Sequence, residues 1–271
     1  MANADGHRMI AEYLAAYDRQ LRGDVELAGA HDTASLGPLR VAVFPGGQGF
    51  IGYQHLGGAD ADGVRGLVDA ALAHFASLPG IRSIEWKTRA HDHAPGLHDA
   101  LIACGFVPED AESIMIGEAS LLVQEVALPD GVTLRRARSD DEVIAMERMH
   151  GIVFGHREWH ARADEMIRRL AEDESMELWT AVVDDEVVSA GRLEPVVGTE
   201  FAGLWGGATL PQWRGRGIYR ALTAQRAMAA LAGGKTYLQS DSTEFSRPIL
   251  ARAGLVKVST TTPYVWTSPV C

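Results

Sequence analysis

The residues best suited to chemistry lie in Leu204–Tyr219, LWGGATLPQWRGRGIY. An apolar run (Leu204, Trp205, Ala208, Thr209, Leu210) stops at Pro211. Gln212-Trp213-Arg214-Gly215-Arg216-Gly217 follows, and Ile218–Leu231 then carries apolar residues at helical spacing. This order predicts a strand, a glycine-containing turn and the first turn of a helix. The leading N–H groups of such a helix have no internal partner and carry the positive end of its dipole, so they bind anions. Gly215 and Gly217 lack a Cβ, which lets a phosphate approach the backbone, and Arg214 and Arg216 add positive charge. The chemistry predicted here is the binding of a pyrophosphate.

The pattern Gln212-x-x-Gly215-x-Gly217 between a strand and a helix resembles the acyl-CoA signature of the GNAT N-acetyltransferases. The resemblance implies acetyl-CoA as co-substrate and an amine as acceptor. It also implies a splayed strand before the loop, whose backbone at Ala208, Thr209 and Leu210 faces the cofactor arm and the thioester. Gln212, Arg214, Gly215, Arg216, Gly217, Ile218 and Tyr219 would then lie along the pyrophosphate. Side-chain changes there would act by blocking approach, and Gly217→Glu would place a carboxylate at the pyrophosphate.

Acetyl transfer to an amine also needs a neutral nitrogen and a proton for the departing thiolate. Many members of the family place a Tyr four residues before a Gly-hydrophobe pair, and counting back from Gly254 gives Leu250. The remaining catalytic candidates are Glu194 and Glu200, which flank the cofactor strand, and Ser246, at the start of the last helix. Each also has an ordinary reading: the glutamates as turn residues, Ser246 as a helix cap. The missing Tyr motivates an alternative, a non-catalytic CoA-binding or regulatory module.

In the family's layout the region after the first helix borders the acceptor. Here it reads Phe154-Gly155-His156-Arg157-Glu158-Trp159-His160, so Phe154, His156 and Trp159 are candidates for substrate contact. The plain start of a surface helix is the competing reading. His91-Asp92-His93 has no third or fourth ligand at short range and reads as a polar loop, so no metal is expected.

The elements that position these residues occur twice. In the first half, Met9–Leu21 is an amphipathic helix. Arg40–Phe44 and Phe50–Leu56 form a strand pair about Pro45-Gly46-Gly47; helix Val64–Leu78, strand Ile81–Thr88, helix Pro95–Ala103 and strand Ser113–Ile116 follow. In the second, Val132–Ala137 is a strand and Ser139 with Glu142 opens a helix as a capping box. Then come strands Leu178–Val183, Val187–Leu193 and Phe201–Leu210, with Asp184-Asp185-Glu186 as a hairpin turn. Helix Arg216–Leu231, strand Thr236–Ser240, helix Ser246–Ala253 and strand Val256–Thr262 complete it. Thr260–Trp266 is a terminal strand, and Pro263 predicts an edge or a bulge.

The repeated order predicts an α/β (α+β) protein of two tandem GNAT-like domains, each a mixed, mostly antiparallel sheet flanked by helices. The expected domains are 1–128 and 131–271, punctuated at Leu128-Pro129-Asp130-Gly131. Where the second copy has its glycine loop, the first has Asp60 and Asp62 before a helix. These carboxylates cap N–H groups but repel a pyrophosphate, which marks the first copy as degenerate.

Composition agrees. The first 130 residues hold 8 Lys and Arg against 18 Asp and Glu, the rest 17 against 18, so an anionic cofactor belongs with the second half. The acidic balance disfavours nucleic acid. No apolar run is long enough to span a bilayer and the N-terminus lacks a signal pattern, which predicts a cytoplasmic protein with no membrane partner. Cys104 and Cys271 offer neither a disulfide framework nor metal-ligand spacing. A small-molecule amine is favoured as acceptor because a second domain narrows the cleft, and a homodimer is left open.

Overall fold

The computed structural model describes residues 2–268. In chain order the elements are α1 (Ala2–Gln20), β1 (Asp32–Leu36), β2 (Leu39–Phe44), β3 (Gln48–Tyr53), α2 (Ala61–Ala76), β4 (Ser83–Arg89), α3 (Leu97–Ala103), β5 (Val107–Pro108), β6 (Glu112–Glu118) and α4 (Ala119–Leu122). The second half continues with β7 (Thr133–Ala137), α5 (Asp140–Phe154), α6 (Trp159–Glu172), β8 (Glu177–Val183), β9 (Glu186–Pro195), β10 (Phe201–Thr209), α7 (Ile218–Ala232), β11 (Tyr237–Ser242), α8 (Arg247–Ala253) and β12 (Val256–Thr267).

Two compact units result, Met1–Ile114 with Lys257–Cys271, and Met115–Val256. The chain therefore changes unit inside β6 and again at the start of β12, not at the expected punctuation of 128–131. The reason is an exchange of strands. Within the first unit the strand order is β1-β2-β3-β4-β12, with β5 against β12; within the second it is β6-β11-β10-β9-β8-β7. Side chains follow: Tyr264 of β12 is buried with Trp86 and Phe106, whereas Met115 of β6 is buried with Leu238 and Leu250. Leu128 packs on the second unit's core, so the Pro-Gly stretch turns the chain within a unit.

In each unit the strand pairing is mixed and mostly antiparallel. In the first, β1, β2 and β3 are antiparallel neighbours and β3 runs parallel to β4. In the second, β7 to β10 are antiparallel and β10 runs parallel to β11. The order strand-strand-strand-helix-strand-helix thus recurs as β1-β2-β3-α2-β4-α3 and β8-β9-β10-α7-β11-α8. Asp184 and Asp185 adopt positive φ of 46° and 64°, the backbone of a tight hairpin turn. Ser139 and Glu142 form the capping box that opens α5.

Two details depart from expectation. β1, Asp-Thr-Ala-Ser-Leu, is an edge strand whose polar composition hid it. Pro263 does not mark an edge, because β12 is flanked by β4 on one side and β5 on the other; its carbonyl accepts from Glu109 N at 2.8 Å.

Candidate functional site

The second unit opens at β10. This strand pairs with β11 only from Phe201↔Tyr237 to Gly203↔Gln239, while its pairing with β9 continues to Thr209↔Ser189. The Ser240 hydroxyl, donating to the Leu204 carbonyl at 3.0 Å, bridges the strands just past their last pair. Between Trp205 and Ala208 the register with β9 slips, so Gly206 and Gly207 form a bulge.

The backbone of the three residues after the bulge is not uniformly available. Leu210 N–H donates to the Val188 carbonyl at 2.9 Å, and the Ser189 hydroxyl donates to the Ala208 carbonyl at 2.6 Å. Both residues therefore turn their backbone groups to β9. Alternation turns those of Thr209 to the other edge, where its carbonyl accepts from Arg214 Nε at 3.0 Å.

Beyond Thr209 the chain makes a single 3-10 turn, Pro211–Trp213, and Gly215 and Gly217 then take φ of 74° and 82°. These left-handed conformations favour glycine and aim the chain into α7. The N-cap residue of α7 is Gly217, which has no side chain to cap it, so among the described residues the first N–H groups of the helix are left for a ligand or water. A Cβ on Gly215 would meet nothing within 4 Å, whereas one on Gly217 would point at Val126 and the Ala127 carbonyl. A glutamate at 217 would thus press on that segment instead of entering the space in front of the helix. Gln212, Arg214 and Arg216 are exposed, and the Arg216 guanidinium sits over the Trp213 ring, 4.8 Å from its centroid. Ile218 is buried in the core.

The first unit differs at the matching place. Asp60 caps α2, its Oδ1 accepting from Gly63 N–H at 2.9 Å, and Asp62 lies in the first turn. A carboxylate of the chain itself occupies that helix terminus.

A buried polar cluster surrounds the β10 bulge, and sequence reasoning missed most of it. Glu147 and His150 lie on the buried face of α5, only 4% and 6% exposed, with His150 Nδ1 3.2 Å from Glu147 Oε1. His150 Nε2 is buried and has no hydrogen-bond partner. Its ring borders the bulge: a Cβ on Gly206 would lie 3.5 Å from His150 Cε1 and 4.0 Å from both Nε2 and Arg192 Nη1. From α7, Tyr219 packs on Gly207 and its hydroxyl interacts with Arg226.

Charges in the cluster are unevenly matched. Burial pushes the Glu147 carboxyl up, but the hydrogen bond from His150 and the positive charges of His150, Arg162 and Arg192 outweigh it and hold the group below the usual glutamate range. Burial pulls Arg192 and Arg226 below the ordinary arginine range. Arg226 is held by the carbonyls of Leu222 and Arg192 and by the Thr223 hydroxyl, with no carboxylate among these bonds.

The expected catalytic residues sit otherwise. Glu194 is on β9, not in a turn, and is paired with Arg192 and, at 2.7 Å, with Arg169. Glu200 is exposed and precedes the paired end of β10; its carbonyl accepts from Thr236 and Tyr237. Ser246 occupies the N-cap position of α8 without capping it, its hydroxyl 3.4 Å from that of Thr243. Leu250 is buried in the core. Of the three substrate candidates, Phe154 ends α5, half exposed, with its ring 5.7 Å from His150 and 5.8 Å from His156. Trp159 begins α6 and stacks on His160 at 3.5 Å. Burial and the charge of Arg162 lower the His156 pKa from its usual value.

In the first unit His91 is part of an ion-pair network. Its Nδ1 contacts the Ser259 hydroxyl at 2.6 Å and its Nε2 contacts Asp18 at 3.1 Å, beside a buried Arg22–Asp92 pair. Among the described residues no cluster of His, Cys, Asp and Glu could hold a metal. No helix there is long and apolar enough to cross a membrane. Cys104 forms no disulfide, its thiol donating to Asp69 Oδ1 at 3.5 Å, and Cys271 lies outside the described residues.

A strand that leaves its parallel neighbour, a bulge, and a glycine turn into a helix form one arrangement, and the fold that carries it is shared with solved structures. A GCN5-related N-acetyltransferase from Kribbella flavida is similar over 97% of this chain and 95% of its own, with a TM-score of 0.64 and 17% identity. The fold is the GNAT fold. A GCN5-related N-acetyltransferase from Sphaerobacter thermophilus is similar at a TM-score of 0.62 and 17% identity, over 86% of this chain and 78% of its own. A tandem GNAT protein from the clavulanic acid biosynthesis pathway is similar at 0.60 and 12%, over 86% and 79%. By sequence, no protein-family model and no curated protein matches the chain.

Proposed function

We propose that the Met115–Val256 unit of this GNAT-fold protein is an acetyl-CoA-dependent N-acetyltransferase acting on a small-molecule amine. The observation that carries this reading is the parting of β10 from β11 after Gly203 together with the uncapped α7 terminus behind Gly215. An open strand edge offers backbone groups to an extended pantetheine arm, and the helix terminus suits its pyrophosphate. Thr209 presents its backbone toward that edge; Gly215, Gly217, Ile218 and Tyr219 line the helix terminus; Gln212, Arg214 and Arg216 are exposed beside it. Two of the similar proteins are named as N-acetyltransferases, and that activity is carried over here as part of the proposal. The buried floor of the site suits a slender amine, with Phe154, His156 and Trp159 beside it. The first unit, its helix capped by Asp60, binds no CoA in this reading.

A second reading, a CoA-binding module without turnover, rests on Leu250 in the core where many family members carry a tyrosine. Calorimetric titration with acetyl-CoA, followed by a thiol assay for CoA released in the presence of primary amines, tests both. One site per chain with amine-dependent release supports the transferase. One site with no release across a broad amine panel favours the module, and no binding removes both.

A further inference from the structure

We propose that His150 is the general base of this site, taking the proton from the acceptor amine, and that Glu147 is the residue that positions it. The inference rests on the acetyltransferase reading and assigns the proton-transfer role that Glu194, Glu200 and Ser246 do not fill.

Glu147 and His150 are three residues apart on α5 and therefore share a face. That face is buried, and Glu147 Oε1 lies 3.2 Å from His150 Nδ1. A carboxylate only accepts, so the proton resides on Nδ1 and the lone pair on Nε2. Nε2 is enclosed and unpartnered, a condition that costs free energy and is relieved by a donor brought from outside. It faces the β10 bulge at Gly206, beside the open edge where the thioester would lie. Glu194 is unsuited to the task because two guanidiniums hold it.

About His150 stand Glu147 from α5, Arg192 from β9 at the Gly206 bulge and His156 from the turn before α6; Arg162 of α6 acts on Glu147 and His156, and Tyr219 of α7, with Arg226, lies at the neighbouring Gly207. A base requires the imidazole with Nε2 bare. The amine arrives as an ammonium ion and gives one proton to Nε2. Its lone pair then attacks the thioester carbonyl carbon, the C–N bond forms, and the carbonyl pair moves to oxygen. Collapse breaks the C–S bond. The nitrogen sheds a second proton, which the thiolate takes, leaving the acetamide and free CoA; the imidazolium returns its proton to water.

The test uses the full chain. His150→Gln should lower kcat for a primary amine about 100- to 10,000-fold, leave acetyl-CoA affinity within about twofold, and flatten the acid limb of the kcat/KM profile. Independently of turnover, 15N spectra of the ligand-free wild type, assigned by difference from His150→Gln, should show Nδ1 protonated and Nε2 bare, and Glu147→Gln should lose that preference. A wild-type kcat in His150→Gln, or a proton on Nε2 in the free protein, would overturn the assignment. If the wild type binds no acetyl-CoA, the underlying reading fails with it, and calorimetry separates that case from binding and turnover indifferent to His150.

Discussion

A Cβ placed on Gly207 would lie 2.7 Å from the Tyr219 hydroxyl and 2.6 Å from its ring, so the bulge of β10 and the first turn of α7 meet at this contact. Gly207→Ala forces one of them to move. Overpacking of this kind costs about 1–3 kcal/mol, and urea unfolding should show it. Combined with Tyr219→Ala, the two costs should fall short of their sum by more than the ~0.5 kcal/mol expected of independent sites. Simple additivity would mean that the ring is not wedged on the bulge.

The space in front of α7 gives a charge test that does not confuse strain with repulsion. Gly215 has φ of 74° and room for a Cβ. Asn and Asp both tolerate that conformation and have nearly the same size. Gly215→Asp should weaken acetyl-CoA binding at least about tenfold more than Gly215→Asn, because a like charge near the phosphates costs on the order of 1.4 kcal/mol or more. Equal affinities by calorimetry would remove the pyrophosphate from this loop.

The corresponding helix in the first unit should behave differently. Asp60 caps α2 through Gly63 N–H at 2.9 Å. Asp60→Ala should lower stability by about 1 kcal/mol and leave acetyl-CoA affinity unchanged. A gain of a second binding site per chain in that variant would show that the carboxylate alone had excluded the anion.

Much of this fold was legible because punctuation and periodicity are local. Pro211, Gly215 and Gly217 bracket the loop, and the period of α7 follows directly. The polar strand β1 carried no alternation to read. The strand exchange was hidden because β6 and β12 are each plausible strands in isolation, and which unit they join depends on where Met115 and Tyr264 are buried. For the site, Glu147 and His150 had one sequence signal, an acid and an imidazole three apart on a helix. That spacing is common on solvated faces, and only the burial of α5 distinguishes it. Glu194 was visible as a carboxylate beside β10, yet its partners Arg169 and Arg192 come from α6 and β9.

The Glu147 carboxyl also predicts how stability responds to acid. Its folded pKa is lowered from the ordinary glutamate value of 4.5 because the interactions with His150, Arg162 and Arg192 outweigh burial. In the unfolded chain the group takes up a proton near that ordinary value, so the unfolded state binds more protons just below it. The stabilisation is therefore fully present above pH 4.5 and is lost as pH falls through the lowered folded value. Wild type should be more stable than Glu147→Gln above pH 4.5, and the margin should shrink in more acid solution, as read from urea midpoints. A margin that grows on acidification would mean that burial wins at Glu147 and that the pair with His150 is held as two neutral groups.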